Sequence, residues 1–233
     1  MSMNVDLVAA APAAPGSPAS PAAPGARAKR SEFLWQSDGP AHIHGHVAQP
    51  VVVQLDRFDA RTVLDLGCGN GWLTAALSRC GFDVTGMDNS LSGIEIARHA
   101  HRDVPFHHAD VMLPPAEDLR GRFDAVVAVE ILDHVAQPRL LLQNALHLLR
   151  PGGLLLVTVP YHGYFKNLGL ALSGRFDIRL HALQDHGRLK FFSRRTLMSL
   201  VAEGGYEDAA FEAIGRLPLI ARSMLVTARK PLG

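Results

Sequence analysis

Beyond residue 60 the chain alternates short apolar runs with amphipathic stretches of helix length. Thr62 to Leu66 (TVLDL) is an apolar run closed by Gly67-Cys68-Gly69-Asn70-Gly71, after which Trp72, Ala75, Ala76 and Leu77 recur at helical spacing. That pattern predicts a strand, a glycine turn and a helix. Asp83 to Met87 predicts a second strand, Ser90 caps a helix running to about Ala100, and Val104 to Ala109 predicts a third strand. Phe123 to Val129 (FDAVVAV) is apolar on both faces, as a central parallel strand must be. Pro138 suits the first turn of a helix reaching Leu149, Pro151-Gly152-Gly153 ends it, and Leu154 to Val159 predicts a fifth strand. Ser193 caps a further helix to about Ala202, followed by two strand-like runs, Tyr206 to Ile214 and Ile220 to Ala228. Strands separated by helix-length segments mean βαβ units, hence the α/β class with one doubly wound, mostly parallel sheet.

Two stretches break this rhythm. Tyr161 to Lys190 has no clear period and follows the fifth strand. Ligands of open α/β sheets bind beyond the carboxyl ends of the strands, so residues 161–190 are expected to form a lid or substrate-binding wall. At the other end, Ala9 to Gly25 contains only Ala, Pro, Gly and Ser, with proline at every third position from Pro12 to Pro24. Such a stretch buries almost nothing and donates few backbone hydrogen bonds. Residues 1–30 therefore read as a disordered, polyproline-II-like tail, and residues 31–233 as one domain.

Composition narrows the partners. Lys plus Arg number 23 against 22 for Asp plus Glu, a net charge of +1, which gives no electrostatic case for a nucleic-acid backbone as the main ligand. Met1 to Ala11 carries Asp6 and no basic residue, unlike a signal peptide, and no apolar run reaches the ~20 residues of a membrane span. The two cysteines, Cys68 and Cys80, make neither a disulfide framework nor a zinc-ligand pattern and fit a reducing cytoplasm. A soluble cytoplasmic protein with a small-molecule ligand is the expectation.

The glycine turn says what kind of ligand. Glycines directly after a central strand let the backbone turn sharply and approach a ligand closely, at a helix N-terminus that favours a negative group. A dinucleotide fingerprint wants G-x-G-x-x-G, whereas here Gly67 and Gly69 are followed by Trp72 at the third glycine position, and Asp65 would repel a pyrophosphate. A ligand with an amino-acid group suits the loop better, its ammonium pairing with Asp65 while its carboxylate meets backbone amides. Asp88 ends the second strand, placed to take both ribose hydroxyls; Asp110 ends the third beside Val111, placed to accept from an adenine amino group.

VLDLGCGNG, the acid of GMD at Asp88, the HHAD of Asp110 and LLRPGG before the fifth strand together resemble the class I S-adenosylmethionine-dependent methyltransferases. Val129-Glu130-Ile131-Leu132-Asp133-His134-Val135 is similar to the E-x-L-E-H-V segment of the ubiquinone-type O-methyltransferases, with Asp133 where Glu is usual. The resemblance implies a seven-stranded sheet in the order 3-2-1-4-5-7-6, ending in an antiparallel hairpin. It implies S-adenosylmethionine as cofactor, with Asp65, Gly67, Cys68, Gly69, Asn70, Asp88, Asn89, Asp110, Val111 and Glu130 as its contacts. The implied reaction is methyl transfer to a small-molecule acceptor, a hydroxyl oxygen of a phenolic quinone precursor or natural-product intermediate.

Methyl transfer from a sulfonium is an in-line displacement in which alignment in a dry site does most of the work. A hydroxyl acceptor also needs its proton removed, a task for histidine. His134, after the fourth strand, is the first candidate and His162, after the fifth, the second. The alternative for His134 is that it caps or packs its loop. His181 and His186 fall in the proposed lid as polar or substrate contacts. His42, His44 and His46 alternate and would share one face of an extended strand, but they lack a carboxylate or sulfur partner, so no metal site is expected. Residues 35–49 are instead read as a cover over cofactor or substrate. Lys190, Arg194 and Arg195 read as a solvated helix start, with recognition of an acidic substrate as the other option. Two other functions remain to be weighed: a nicotinamide-dependent oxidoreductase on a similar sheet, and a non-catalytic cofactor-binding module.

Overall fold

The computed structural model describes residues 35–41, 43–174, 188–215 and 221–233. The proline-rich stretch, His42, His181 and His186 lie outside the described residues. The strands are β1 (Thr62–Leu66), β2 (Asp83–Asp88), β3 (Phe106–His108), β4 (Phe123–Val129), β5 (Leu149–Pro160), β6 (Glu207–Ile214) and β7 (Ser223–Arg229). The helices are α1 (His44–Arg57), α2 (Trp72–Arg79), α3 (Leu91–Ala100), α4 (Pro138–Leu148), α5 (Tyr164–Leu172) and α6 (Arg194–Glu203).

The strands form one seven-stranded sheet in the order β3-β2-β1-β4-β5-β7-β6, as the resemblance implies. Strands β1 to β5 pair in parallel, whereas β7 runs antiparallel to both β5 and β6. Alternation along the strands divides the core into two layers. Val126, Ala128, Leu155 and Val157 face one side, with Leu141, Leu142, Leu148, Leu197 and Val201 of α4 and α6. Ala125, Val127, Leu154 and Leu156 face the other, with Val47, Val51 and Leu55 of α1 and Leu73 and Leu77 of α2.

The local signals hold at the caps. The Ser90 side chain accepts from the Gly93 amide at the start of α3, and Ser193 and Thr196 form a reciprocal capping box on α6. Two boundaries differ from expectation. β5 begins at Leu149, not Leu154, because Leu149 pairs with Phe123 across a register shift that absorbs Pro151-Gly152-Gly153. β3 is shorter than 104–109, keeping only the residues that pair with Gly86 to Asp88.

The larger correction is α1. The alternation of His42, His44 and His46 would put them on one face only in an extended strand, yet from His44 the chain is helical, burying Val47, Val51 and Leu55 completely at i, i+4 and i+8. His44 and His46 therefore do not share a strand face. His44 stacks on Trp72, with ring centroids 4.8 Å apart, and burial lowers its pKa to about 4. His46 Nε2 instead lies 3.2 Å from Ser223 Oγ. Within 161–190 the described part contains α5, a helix that the sequence pattern did not predict.

Candidate active site

The turn from β1 into α2 is held by its neighbours. Gly67, Gly69 and Gly71 adopt φ of 86°, 54° and 76°, a region that residues with a Cβ avoid. A Cβ on Gly67 would come within 2.3 Å of Ile131 Cδ1, and one on Gly69 within 2.2 Å of the Trp35 ring. The loop thus lies between the β4 exit and the N-terminal segment. The amides of Gly67 and Cys68 donate to Met87 O at 2.7 and 3.1 Å, and Gly71 N donates to Cys68 O at 2.9 Å. Gly69 N donates to Asp88 Oδ2 at 2.8 Å. Those four amides already have protein acceptors, which leaves the Asn70 amide as the loop donor open to a ligand carboxylate among the described residues.

The three strand-end acids occupy different environments. Asp65 is 1% exposed and accepts from Thr74 Oγ1 at 2.7 Å; burial raises its pKa to about 7, with the Thr74 hydrogen bond opposing and the Asp88 carboxylate adding. Asp88 accepts from the Gly69 and Ser90 amides, at 2.8 and 2.7 Å, and the Asn89 amide also bonds the carboxylate, which keeps acceptor capacity for a further donor. Burial nonetheless raises its pKa. Asp110 Oδ1 accepts from Met112 N at 3.0 Å. Asp110 and Val111 line a cavity of about 530 Å³ with Leu66, Met87 and Pro114. Asn89 is exposed and its carbonyl accepts from His108 Nε2. Geometry and donor set fit a hydroxyl-rich adenosyl ligand: a glycine cradle without room for side chains, and a carboxylate with unspent acceptor capacity.

Two loop residues face away from the expected ligand. The Cys68 side chain packs with Ile94, Ala97 and Phe106. The Asn70 side chain is 1% exposed and donates to Ser37 O and Gly39 O at 2.8 and 2.9 Å, tying residues 37–39 across the loop. Asn144 was missed by the sequence reading. Buried on α4, it donates to Val111 O and Leu113 O, both at 2.9 Å, and so fixes the loop that presents Asp110 and Val111.

Past the carboxyl ends of β4 and β5 lies a cavity of about 610 Å³, whose wall includes Glu130, His134, His162, Lys166, Arg188 and Arg222. Both histidine candidates and Glu130 therefore meet in one space. Glu130 sits at φ 53°, where a non-glycine residue costs roughly 1–2 kcal/mol. Its amide is held by Thr158 O at 2.9 Å. Burial, and secondarily the Asp133 carboxylate, raises its pKa to about 8. Asp133, 1% exposed, accepts from Arg188 Nε at 2.7 Å through Oδ2, which lies 3.8 Å from His134 Nε2. Its carbonyl accepts the amides of Leu189 and Lys190 at 2.7 and 3.1 Å. Asp133 thereby ties residues 188–190 to the β4 exit. The His162 ring meets Phe191 edge-on, with centroids 5.0 Å apart.

Comparison with known proteins agrees with this geometry. Residues 28–210 match the methyltransferase domain family. The chain is 30% identical over 173 residues to the ubiquinone biosynthesis O-methyltransferase of Cereibacter sphaeroides, covering 70% of this chain and 69% of that protein. It is 29% identical over 163 residues to the enzyme of the same name from Aromatoleum aromaticum, covering 68% and 69%. Among solved structures, magnesium protoporphyrin IX methyltransferase from Synechocystis with bound SAH has a TM-score of 0.60 at 18% identity, covering 79% of this chain and 82% of that one. The [4+2]-cyclase SpnF has a TM-score of 0.63 at 20% identity, covering 86% of each chain. These structural likenesses are likenesses of fold, and the cyclase shows that fold alone does not set the chemistry. The family match across most of the chain, joined to the relatives that align over two thirds of their length, makes this protein a class I S-adenosylmethionine-dependent methyltransferase resembling the ubiquinone O-methyltransferases.

Proposed function

We propose that the protein methylates a hydroxyl oxygen of a small phenolic acceptor, a quinone precursor or natural-product intermediate, in a reducing cytoplasm. The observation that carries this reading is the cavity of about 610 Å³ beyond β4 and β5, with His134 and His162 in its wall. That volume lies within the ~300–1,000 Å³ of small-molecule sites. The ubiquinone biosynthesis O-methyltransferases among the relatives support oxygen as the acceptor atom.

When bound, S-adenosylmethionine supplies an electrophilic methyl group on a sulfonium. Asp88 would hold the ribose hydroxyls, Asp110 and Val111 the adenine, and the turn from Asp65 through Asn70 the amino-acid end, with Asn89 and Glu130 flanking. Cys68 and Asn70 serve through the loop they shape, since their side chains face the protein. His134 takes the acceptor's proton as the new bond to oxygen forms, and His162 is the second basic group on the same wall. His162, Lys166, Leu170 and Arg188, the described residues of 161–190 that line this cavity, would form part of the wall of the acceptor site.

The test is turnover with labelled cofactor across a panel of phenols and catechols. His134→Ala should lower kcat ~100-fold or more while leaving the dissociation constant for S-adenosylhomocysteine nearly unchanged. If kcat hardly falls, His134 packs its loop and the base lies elsewhere. Binding without transfer to any acceptor would favour a non-catalytic module.

A further inference from the structure

The acceptor cavity carries more positive charge than removal of a proton calls for. Resting on its reading as the acceptor site, we propose that the acceptor bears a carboxylate away from the reacting hydroxyl, held by Arg222 and Arg188.

Arg222 precedes β7 and its backbone is fixed from both sides: its amide donates to Ile214 O and its carbonyl accepts from Tyr161 N, each at 3.0 Å. Its guanidinium has no hydrogen bond or ion pair among the described residues, and Arg222 is one of the residues that line the cavity. Arg188 spends Nε on Asp133 at 2.7 Å, and neither Nη group has a partner among the described residues. Two arginines thus line one cavity, and a guanidinium is the fork that suits a planar carboxylate. Lys166 adds a third cation, its ammonium donating to Tyr161 O and Ala221 O at 2.8 and 3.1 Å on the same wall.

Little opposes this charge. Among the described residues Glu130 is the carboxylate in the wall, and with a pKa near 8 it is mostly neutral at pH 7. Asp133 is buried behind Arg188, accepts from its Nε, and also lies 3.8 Å from His134 Nε2. An apolar or uncharged acceptor would leave Arg222 and the Nη groups of Arg188 with water as their partner. A carboxylate there supplies acceptors to both and fixes which end of the acceptor points toward His134.

The experiment compares 3,4-dihydroxyphenylacetate with 4-ethylcatechol, two acceptors alike in ring and side-chain length that differ by the carboxylate. For the wild-type enzyme kcat/KM should favour the acid by about tenfold or more, since charge-assisted hydrogen bonds are the strong ones. Arg222→Gln should raise KM for the acid about tenfold with kcat held within about twofold, should leave 4-ethylcatechol unaffected, and Arg222→Lys should recover part of the loss. Equal kcat/KM for the two acceptors, or a change in Arg222→Gln that is the same for both, overturns the proposal. Should neither be methylated, calorimetry with S-adenosylhomocysteine present separates the two readings. Acid that binds wild type but not Arg222→Gln upholds the carboxylate site and counts against oxygen methylation. Acid that binds no better than 4-ethylcatechol refutes the carboxylate site.

Discussion

Replacing Asp88 with alanine is the sharpest test of how the cofactor is held. Its Oδ2 accepts the Gly69 amide at 2.8 Å and its Oδ1 the Ser90 amide at 2.7 Å, while the side chain is buried to 9% exposure. The carboxylate, which the Asn89 amide also bonds, retains acceptor capacity for which the vicinal ribose hydroxyls are complementary donors. Hydrogen bonds to a charged group contribute ~1.5–3 kcal/mol each. Losing two of them, with water making up part, should cost about 2–4 kcal/mol of binding, or roughly 20- to 1,000-fold in Kd. The same change orphans two buried amides, so the apoprotein should also melt at a lower temperature. Calorimetric titration of S-adenosylhomocysteine, run below the melting temperature of the variant, separates the two effects. Asp88→Asn should give a smaller loss, because its amide group keeps one acceptor oxygen. A Kd for Asp88→Ala within about twofold of wild type, in folded protein, would refute the ribose role.

Two further outcomes follow from side chains that hold the site rather than touch the ligand. Asn144→Ala leaves Val111 O and Leu113 O without their donors; a cost of about 2 kcal/mol would lower Tm by about 4–8 °C and weaken S-adenosylhomocysteine binding severalfold. An unchanged affinity would mean that the loop keeps its shape without Asn144. Burial would raise the Asp124 pKa, but hydrogen bonds from Thr62, Arg150 and Arg61 overcome it and hold the group at about 2, below its ordinary 3.8. Its stabilisation is therefore complete above about pH 4 and is lost as pH falls from there toward 2. Asp124→Asn should be less stable than wild type in urea at pH 7, with the gap closing as the pH drops through that range; a gap independent of pH would contradict the linkage.

The sheet was legible because burial imposes a period that sequence records. β4 is apolar from Ala125 to Val129 since helices cover both its faces, and the serines before α3 and α6 announce those helices through the amides they accept. α1 carried an equally regular signal in Val47, Val51 and Leu55, although Pro50 lies inside it. The helix forms because those three positions are completely buried against the sheet, which outweighs one missing amide. In β5, pairing of Leu149 with Phe123 carried the strand back through a Pro-Gly-Gly sequence that local rules assign to a turn.

The candidate site divides along the same line. Residues that the chain needs at strand ends, Asp65, Asp88, Asp110 and His134, stand out because topology gives each a place beyond its strand. Trp35, Asn144, Arg188 and Arg222 did not stand out, since each acts on a loop far away in sequence: Asn144 on Val111, Arg188 on Asp133, Trp35 against Gly69. Asn144 alone left a trace, as a polar residue on the leucine-rich face of α4. The charge balance hides a local arrangement for a related reason. A net charge of +1 over the chain gives no electrostatic case for a nucleic-acid backbone as the main ligand. It is also compatible with a local excess, because Asp133 is buried beneath Arg188 and Glu130 is pushed toward its neutral form by the same enclosure that brings Lys166, Arg188 and Arg222 together. The proposed specificity for a carboxylate-bearing acceptor accordingly rests on where Glu130, Arg188 and Arg222 lie, which only the folded chain determines.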